Sequence, residues 1–299
     1  MVGLLVHDLQ RERLHPSAQA VFLSSAEERL AFLEKGFWIG YPAAKDILRH
    51  LEQILARPSV GRPEGLSIIV ASNNGKSHLL EYFLKLHPPT PMAGATTMQI
   101  QVLHIEAPVG ASSPDFFESM CYALRIPELS SGPVRKRRGR VNKALREAGV
   151  KMIVIDEIHN LIAGGEMRSR IILEHLKTFS NIHRISLVGA GTARALQSLK
   201  LDEQYLSRMP PVTLPDWNLN RAFLGLLMAI ESRMPLREVS MLTDPKLAEF
   251  IHSHSKKCIG RTVRLIVDST RLAIYKGEEK LTESLIRQVC AGDLPWTKL

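Results

Sequence analysis

Two adjacent carboxylates, Asp156 and Glu157, are the side chains of this 299-residue sequence best placed for chemistry. They follow Met152-Ile-Val-Ile155, an apolar run without a polar break, which predicts a strand buried on both faces, as in a parallel sheet. Carboxylates at the carboxyl end of such a strand lie in the crevice where open α/β sheets bind ligands. This is the Walker B arrangement: the first acid would hold Mg²⁺ through its water shell, and the second would polarise an attacking water. A strand that simply ends in two solvated acids gives the same pattern.

A phosphate-binding loop is predicted upstream of these acids. The short apolar strand 67–71 leads through Ser72-Asn-Asn-Gly-Lys-Ser77 into a helical pattern that begins at His78. Backbone N–H groups at the helix N-terminus would cradle phosphates, while Lys76 would reach the β/γ oxygens. The predicted cofactors are ATP and Mg²⁺, with Ser77 and Asp156 as metal ligands. The predicted nucleotide-binding residues here are Ser72, Asn73, Asn74, Gly75, Lys76, Ser77, His78 and Asp156.

The predicted loop lacks one glycine of the usual pattern. That glycine belongs five residues before Gly75, where Val70 stands, and a loop shorter by one residue would place Ala71 there instead. Asn73 and Asn74 tolerate left-handed backbone angles better than most residues, which would keep the loop foldable.

The composition favours a globular protein with a polyanionic partner. Hydrophobic residues make up 45% and charged residues 23%, which is ordinary, whereas a net charge of +9 favours nucleic acid as the partner. The cysteines Cys121, Cys258 and Cys290 are far apart and suggest a reducing compartment. No apolar run is long enough to span a membrane, and no signal peptide is evident, so the sequence predicts a cytoplasmic protein without a membrane partner.

The first elements lead up to the phosphate loop. Residues 1–24 predict an extended arm, and Ser25 with Glu28 predicts a capping box that opens a helix. A second helix is expected over 43–55. Between the two helices, Trp38 and Tyr41 could line an adenine pocket or could instead hold the N-terminal helices on the core.

A basic run precedes the Walker B strand. A strand over 98–106 and a helix over 113–124 are followed by the hinge Ser130-Ser-Gly-Pro133. The next residues could form a loop that contacts DNA phosphates, or could be a solvated face, and a helix is expected to continue through Arg146 and end at Gly149. The candidate DNA-binding residues are Arg135, Lys136, Arg137, Arg138 and Arg140.

Two further catalytic candidates, besides Glu157, follow the Walker B strand. After a helix over 166–179 and a buried strand over 184–189, Thr192 stands where sensor 1 of AAA+ ATPases contacts the γ-phosphate or its water. Thr192 could also cap the next helix. Arg208 ends a short helix over 202–208, where it could complement the helix dipole or reach ATP on a neighbouring subunit as an arginine finger.

From residue 215 the sequence predicts only helices, over 218–233, 245–255, 261–276 and 282–291. Gly260-Arg261 opens the third of these, where sensor 2 would reach the phosphates; Arg261 is the candidate and Arg264 the alternative. The predicted fold is therefore α/β, an AAA+ P-loop NTPase core with a parallel sheet followed by a small all-helical lid. The predicted boundaries are 1–24 for the arm, 25–214 for the core and 215–299 for the lid.

A series of motifs resembles those of the TniB/TnsC transposition ATPases over residues 25–290. They are Trp38-Ile-Gly-Tyr-Pro42, Asn73-Asn-Gly-Lys-Ser77, Val154-Ile-Asp-Glu-Ile-His-Asn160, Leu187-Val-Gly189 with Gly191-Thr192, Ser207-Arg208, Leu214-Pro-Asp-Trp217 and Ile259-Gly-Arg261. The resemblance implies an AAA+ regulator that assembles with ATP on double-stranded DNA as a ring or helical filament. It also implies recruitment of a DDE-type transposase to the marked site, sometimes through a TniQ-type adaptor. The chain departs from the family at Val70 and Ala71, where a glycine is usual.

Two other classes remain open at this point. A metabolic P-loop phosphotransferase would share the phosphate loop, although the helical lid, Arg208 and the basic charge disfavour it. A nucleotide switch or scaffold that does not hydrolyse ATP would suit the irregular loop.

Overall fold

The structure, a computed structural model of the chain, describes residues 10–57, 61–92, 98–110, 112–126, 133–162, 165–193, 207–214 and 216–297. Contacts divide the chain into two units. Residues 42–215 form one, called here the α/β unit, and residues 1–41 together with 216–299 form the other, called here the helical unit.

The described residues form the following helices and strands, given in chain order. They are α1 (Pro16–Gln19), α2 (Ala26–Glu34), α3 (Pro42–Ala56), β1 (Leu66–Ile69), α4 (Lys76–Leu86), β2 (Thr90–Pro91), β3 (Met98–Gln99), β4 (Val102–Glu106), α5 (Ser113–Ala123), α6 (Val134–Glu147), β5 (Met152–Asp156), α7 (His159–Ile162), α8 (Glu166–His183), β6 (Ser186–Gly191), β7 (Pro211–Thr213), α9 (Arg221–Glu231), α10 (Pro245–Ser255), α11 (Ile259–Lys276) and α12 (Glu283–Cys290). A 3₁₀ turn, Pro295–Thr297, follows.

A five-stranded parallel sheet organises the α/β unit, in the order β4-β5-β6-β1-β7. Ile69 of β1 pairs with Gly191 of β6, and Ile155 of β5 pairs with Gly189 of β6. The carboxyl ends of β1 and β5 therefore lie at the same edge with only β6 between them. Every residue of β1 is buried, which confirms the predicted parallel α/β core.

One apolar cluster packs α5, α6 and α8 against the sheet. Phe117 of α5 contacts Phe116 at 5.6 Å and Phe179 of α8 at 6.2 Å between ring centroids. The predicted strand over 98–106 is interrupted, because β3 pairs with β2 in an antiparallel ribbon and only β4 joins the main sheet. The N–H of Ile100, between them, donates to Ala148 O at 2.8 Å.

The basic run lies in a helix, so the prediction that it forms a loop is wrong, whereas its contact with DNA stays a prediction. Pro133 is the N-cap of α6, with extended angles of φ −62° and ψ 143°. Arginine and lysine are good helix formers, and Val141 and Leu145, four residues apart, bury the inner face. Hinge residues 130–132 lie outside the described residues.

The first helices belong to the helical unit, whereas the prediction places the start of the core at residue 25. A capping box of Ser25 and Glu28 opens α2 as predicted. Arg29, 4% exposed, donates to Pro235 O at 3.0 Å and pairs with Glu279 at 2.8 Å. A buried guanidinium needs such partners, and they come from the C-terminal part of the chain.

Residues 10–24 also differ from the predicted extended arm, of which residues 1–9 lie outside the described part. Residues 10–13 are helical, α1 follows, and Leu14, Ala18 and Phe22 form a buried cluster. In the same unit Tyr41 packs edge-on against Trp217, with centroids 4.9 Å apart. Among the described residues, no helix is long and apolar enough to cross a membrane.

Candidate functional site

The loop between β1 and α4 is shorter than the sequence pattern implies. Val70 continues the strand: its N–H donates to Gly191 O at 2.9 Å, and its side chain is buried. The turn that follows is closed by the N–H of Asn74, which donates to Ala71 O at 3.2 Å. Asn73 adopts the left-handed φ of 60° that asparagine tolerates, so it supplies part of the freedom that the missing glycine would give.

The N-terminus of α4 is suited to an anion. Its N-cap, Gly75, has a φ of 91° and makes no side-chain cap. The first N–H groups of a helix lack partners within the helix, and the helix dipole adds partial positive charge there. Ser77 and His78 in this first turn are exposed.

Lys76 joins this helix to the carboxylates. Its Nζ lies 2.6 Å from Glu157 Oε1 and also contacts Asp156 Oδ1. The three side chains are only 10%, 31% and 14% exposed, respectively. A lysine and two acids so far apart in sequence meet because β1 and β5 end at the same edge of the sheet.

Glu157 is held in an unusual backbone conformation. Its φ is +49°, and its N–H donates to the side chain of Asp156 at 2.7 Å. The next N–H, of Ile158, donates to Ala190 O at 2.9 Å, which ties the turn to β6. Left-handed angles in a residue with a long side chain cost free energy and tend to occur at functional sites. The sequence motifs include Ile158 and Gly189, but their contact was not predicted, although glycine inside a strand is a signal of close approach.

Further groups surround the acids. His159 Nδ1 lies 3.1 Å from Glu157 Oε2. Asn160 Nδ2 donates to Ala107 O at 3.1 Å, which holds the turn to the segment after β4. Burial lowers the pKa of His104 on β4, and the nearby charge of Asp156 opposes that shift. His104 therefore stays neutral near neutral pH.

Thr192 directly follows β6, at the sheet edge where β1 and β5 also end, and is partly exposed. The candidate sensor thus lies at the same edge as Lys76 and Glu157.

Arg208 lies at the opposite, amino edge of the sheet. Its carbonyl oxygen is 2.8 Å from where a Cβ at Gly65 would stand, and Ser67 N–H donates to Pro210 O at 3.0 Å. Val70 follows Gly65 by five steps along the strand, which is about 17 Å. Residues 202–206 of the predicted helix lie outside the described part of the chain.

The sensor 2 candidates belong to the helical unit. Arg261 is exposed in the first turn of α11. Arg264 has a side chain that is 86% exposed and lies 3.6 Å from Asp268.

The candidate DNA-binding residues share the outer face of α6. Arg135, Lys136, Arg138 and Arg140 are exposed, whereas Arg137 is partly buried and donates to Pro114 O at 3.4 Å. The same face carries two exposed cations that were not among the candidate DNA-binding residues. Their helical spacing from those residues could have indicated them. These are Lys143 and Arg146.

Solved structures share this fold at low sequence identity. The Aeropyrum pernix ORC2 protein, in ADPNP–ADP complexes, aligns with a TM-score of 0.60 and 16% identity over 83% of this chain and 66% of that chain. The A. pernix ORC1 protein in complex with DNA aligns with a TM-score of 0.60 and 17% identity over 85% of this chain and 66% of that chain. Cdc6p from Pyrobaculum aerophilum aligns with a TM-score of 0.61 and 16% identity over 92% of this chain and 71% of that chain. This chain thus spans 66% of each ORC chain, and the likeness confirms the AAA+ P-loop fold.

No curated protein sequence matches this chain. The family model described as bacterial TniB protein matches residues 29–219, which is more than half of the sequence. The matched span contains the phosphate loop, both acids, Thr192 and Arg208, and it confirms the resemblance drawn from the motifs. The chain belongs to the bacterial TniB family.

Proposed function

We propose that this protein is an ATP-hydrolysing, DNA-binding regulator of transposition. The observation that carries the ATPase proposal is the contact of Lys76 with Asp156 and Glu157 beside the N-terminus of α4. A phosphate-binding cation, a metal-holding acid and a water-polarising acid are the groups that phosphoryl transfer to water needs in one place.

The nucleotide would be held by residues 72–78. The N–H groups at the start of α4 would bind its phosphates, with Lys76 between the β and γ positions. Ser77 and Asp156 present hydroxyl and carboxylate oxygens, the hard donors that Mg²⁺ prefers, and Mg²⁺ usually takes few protein ligands besides phosphates and waters. When bound, this ion would neutralise the charge that develops on the phosphate oxygens.

Lys76 must change partners for this to happen. It now forms ion pairs with two carboxylates, and phosphates would compete with both for its ammonium group. Once Lys76 turns to phosphate, Glu157 is free to accept a hydrogen bond from water. We therefore assign Glu157 as the base that orients the attacking water, and Thr192 as the polar group that contacts the γ-phosphate or that water.

Completing the site requires a second copy of the chain. Arg208 stands at the amino edge, about 17 Å of strand away from its own phosphate loop. In this proposal it serves the nucleotide of a neighbouring subunit. Subunits joined in this way would form a ring or a helical filament.

Double-stranded DNA is the proposed polyanion. The net charge of +9 and the row of cations on α6 support it, because exposed lysines and arginines bind phosphates without reading bases. Membership of the TniB family supports a DDE-type transposase as a further partner, with a TniQ-type adaptor in some systems.

Phosphate release measured with and without duplex DNA tests the proposal. Turnover that rises with DNA, in parallel with assemblies seen by electron microscopy, is the expected result. Turnover that responds only to a small acceptor would indicate a phosphotransferase. A second candidate, a scaffold that binds ATP without hydrolysing it, is favoured by Val70 in place of glycine, and assembly without phosphate release would identify it.

A further inference from the structure

Three arginines gather at the amino edge of the sheet, and we call Arg62, Arg184 and Arg208 the amino-edge cluster. Arg208 Nη1 donates to Asn181 Oδ1 at 3.1 Å. Arg62 Nη2 donates to the hydroxyl of Ser207 at 3.3 Å, which joins it to the residue before Arg208.

Arg184 completes the pattern, since its Nη1 donates to the carbonyl oxygen of Gly61 at 2.5 Å. All three of these acceptors are therefore neutral. A neutral acceptor fixes the direction of a guanidinium group but leaves its charge uncompensated, whereas a carboxylate would cancel it.

A cavity of about 190 Å³ is lined by Arg62 and Arg184, and Arg208 adjoins it through the hydrogen bond between Arg62 and Ser207. Its charged and polar lining consists of Arg57, Arg62, Glu64, Lys151, Arg184 and Ser186. Arg57 is paired with Glu64. In the described part of the chain, no carboxylate forms an ion pair with Arg62, Lys151 or Arg184, so the cavity wall carries three uncompensated positive charges.

Like charges held around one small cavity repel each other, and a multivalent anion relieves that repulsion. The planar fork of arginine matches the oxygens of phosphate. The phosphate loop of the same chain is at the other edge of the sheet, so its own nucleotide is out of reach.

We infer that the cavity and Arg208 form one phosphate-binding half-site, which takes the polyphosphate of a nucleotide held by a second copy of this chain. Arg62 and Arg184 contact its phosphate oxygens beside Arg208. This inference rests on the proposed function, because it requires that Arg208 serve a neighbouring subunit.

The test compares Arg62→Gln, Arg184→Gln and the double variant with Arg49→Gln. Arg49 is a matched control, since it is an exposed arginine of the same unit already paired with Asp46 at 2.8 Å. Each cluster variant should bind ATP as a single copy with unchanged affinity, but its turnover in the assembled state should fall about tenfold. The control should retain full turnover.

Mixing the double variant with Lys76→Ala protein should restore part of the turnover. At some shared interfaces the double variant supplies an intact phosphate loop, and the Lys76→Ala protein supplies an intact amino-edge cluster. No restoration would contradict a site shared between copies. Should Arg184→Gln unfold because it releases Gly61, Arg62→Gln alone decides the outcome, since Arg62 is exposed and its replacement leaves that bond in place.

The remaining outcomes separate this inference from the proposal beneath it. Full ATP turnover in Arg208→Ala protein would refute the assignment of Arg208 as an arginine finger. Loss of turnover in Arg208→Ala but not in Arg62→Gln and Arg184→Gln would overturn only the half-site. A fall in affinity for duplex DNA, measured without nucleotide, would show that the cluster binds DNA phosphates instead.

Discussion

Ile158 occupies the space that a side chain at Gly189 would need. A Cβ built on Gly189 of β6 would stand 2.6 Å from Ile158 Cδ1, far inside van der Waals contact. Ile158 directly follows Glu157, so the missing side chain on β6 allows the turn that carries the proposed base to lie against the sheet.

Gly189→Ala should therefore destabilise the protein by about 1–3 kcal/mol and lower ATP turnover by moving the turn at Glu157. Adding Ile158→Val removes the clashing Cδ1 and should recover part of both losses. Gly225→Ala is the control, because nothing lies within 4 Å of a Cβ there. Chemical unfolding and phosphate release measure the effects, and additive losses in the double variant would contradict the contact.

Lys76→Ala should abolish ATP binding, whereas Glu157→Gln should spare binding and block hydrolysis. Without nucleotide, Lys76→Ala should also cost about 1–3 kcal/mol of stability, because two largely buried acids lose their shared cation. The double variant Lys76→Ala/Glu157→Gln should be less destabilised than Lys76→Ala alone, because it leaves only one acid without its cation. Lys85→Ala, exposed on the same helix, is the control for nucleotide titrations. Unchanged ATP affinity in Lys76→Ala would refute the phosphate-loop assignment.

The two glycine substitutions in the phosphate loop should have different effects. Ala71 is exposed, so Ala71→Gly should fold normally and tighten ATP binding or raise turnover if the loop is limited by its missing glycine. Val70 is 2% exposed, and Val70→Gly should cost about 2–3 kcal/mol through lost burial and backbone entropy. Thermal unfolding and ATP titration distinguish them. ATP affinity and turnover that stay at parental values in Ala71→Gly would show that the departure is harmless.

Stability should fall as the pH drops below 6.5. Burial lowers the pKa of His104, His175 and His183 from the ordinary value of 6.5, and Arg138 lowers that of His175 further. Below pH 6.5 the unfolded chain takes up protons on these residues before the folded chain does, so the free energy of unfolding decreases. Unfolding by urea from about pH 8 to about pH 5.5 measures the slope, and His175→Gln should flatten it. A flat profile in the parent would contradict the prediction.

The outer face of α6 should determine the salt dependence of DNA binding. Replacing Arg135, Lys136, Arg138 and Arg140 with glutamine should remove about two to three phosphate contacts, each worth about −0.9 in the log–log salt slope. Binding should weaken equally for two unrelated duplexes in fluorescence anisotropy, because phosphate contacts carry no base information. Arg137→Gln is the comparison on the same helix: it is tied to Pro114 O and should matter less than Arg138→Gln. A slope unchanged by the four replacements would assign these residues to a solvated face.

Local patterns were enough to predict the strand and the helix N-terminus that meet at the candidate site. The strand before Asp156 has apolar residues on both faces, and Gly75-Lys76-Ser77 marks a helix N-terminus, so each could be found without knowing its partners. Helix α10 was also predicted with correct ends, because Asp244 caps it and Pro245 occupies its first turn.

Contacts between distant parts of the chain could not be predicted in this way. The pairing of Arg29 with Glu279, which places α2 with the C-terminal helices, joins residues 250 positions apart. Arg62 and Arg184 stand singly in the sequence, and only the parallel sheet brings them to one edge. The start of the helix at the basic run was missed for another reason, although its continuation through Arg146 was predicted: its inner face carries only Val141 and Leu145 as fully buried positions, and charge dominates the rest.

The separation of Lys76 and Arg208 across the sheet gives any assembly built on them a direction. One subunit would offer its carboxyl edge to the amino edge of the next, so contacts are head to tail and cannot close as a two-fold dimer. An open filament would then end in one subunit whose nucleotide meets no arginine and another whose arginine meets no nucleotide. Such a filament has one complete site fewer than it has subunits, so ATP turnover per subunit would rise with filament length. In a closed ring every subunit would have a complete site.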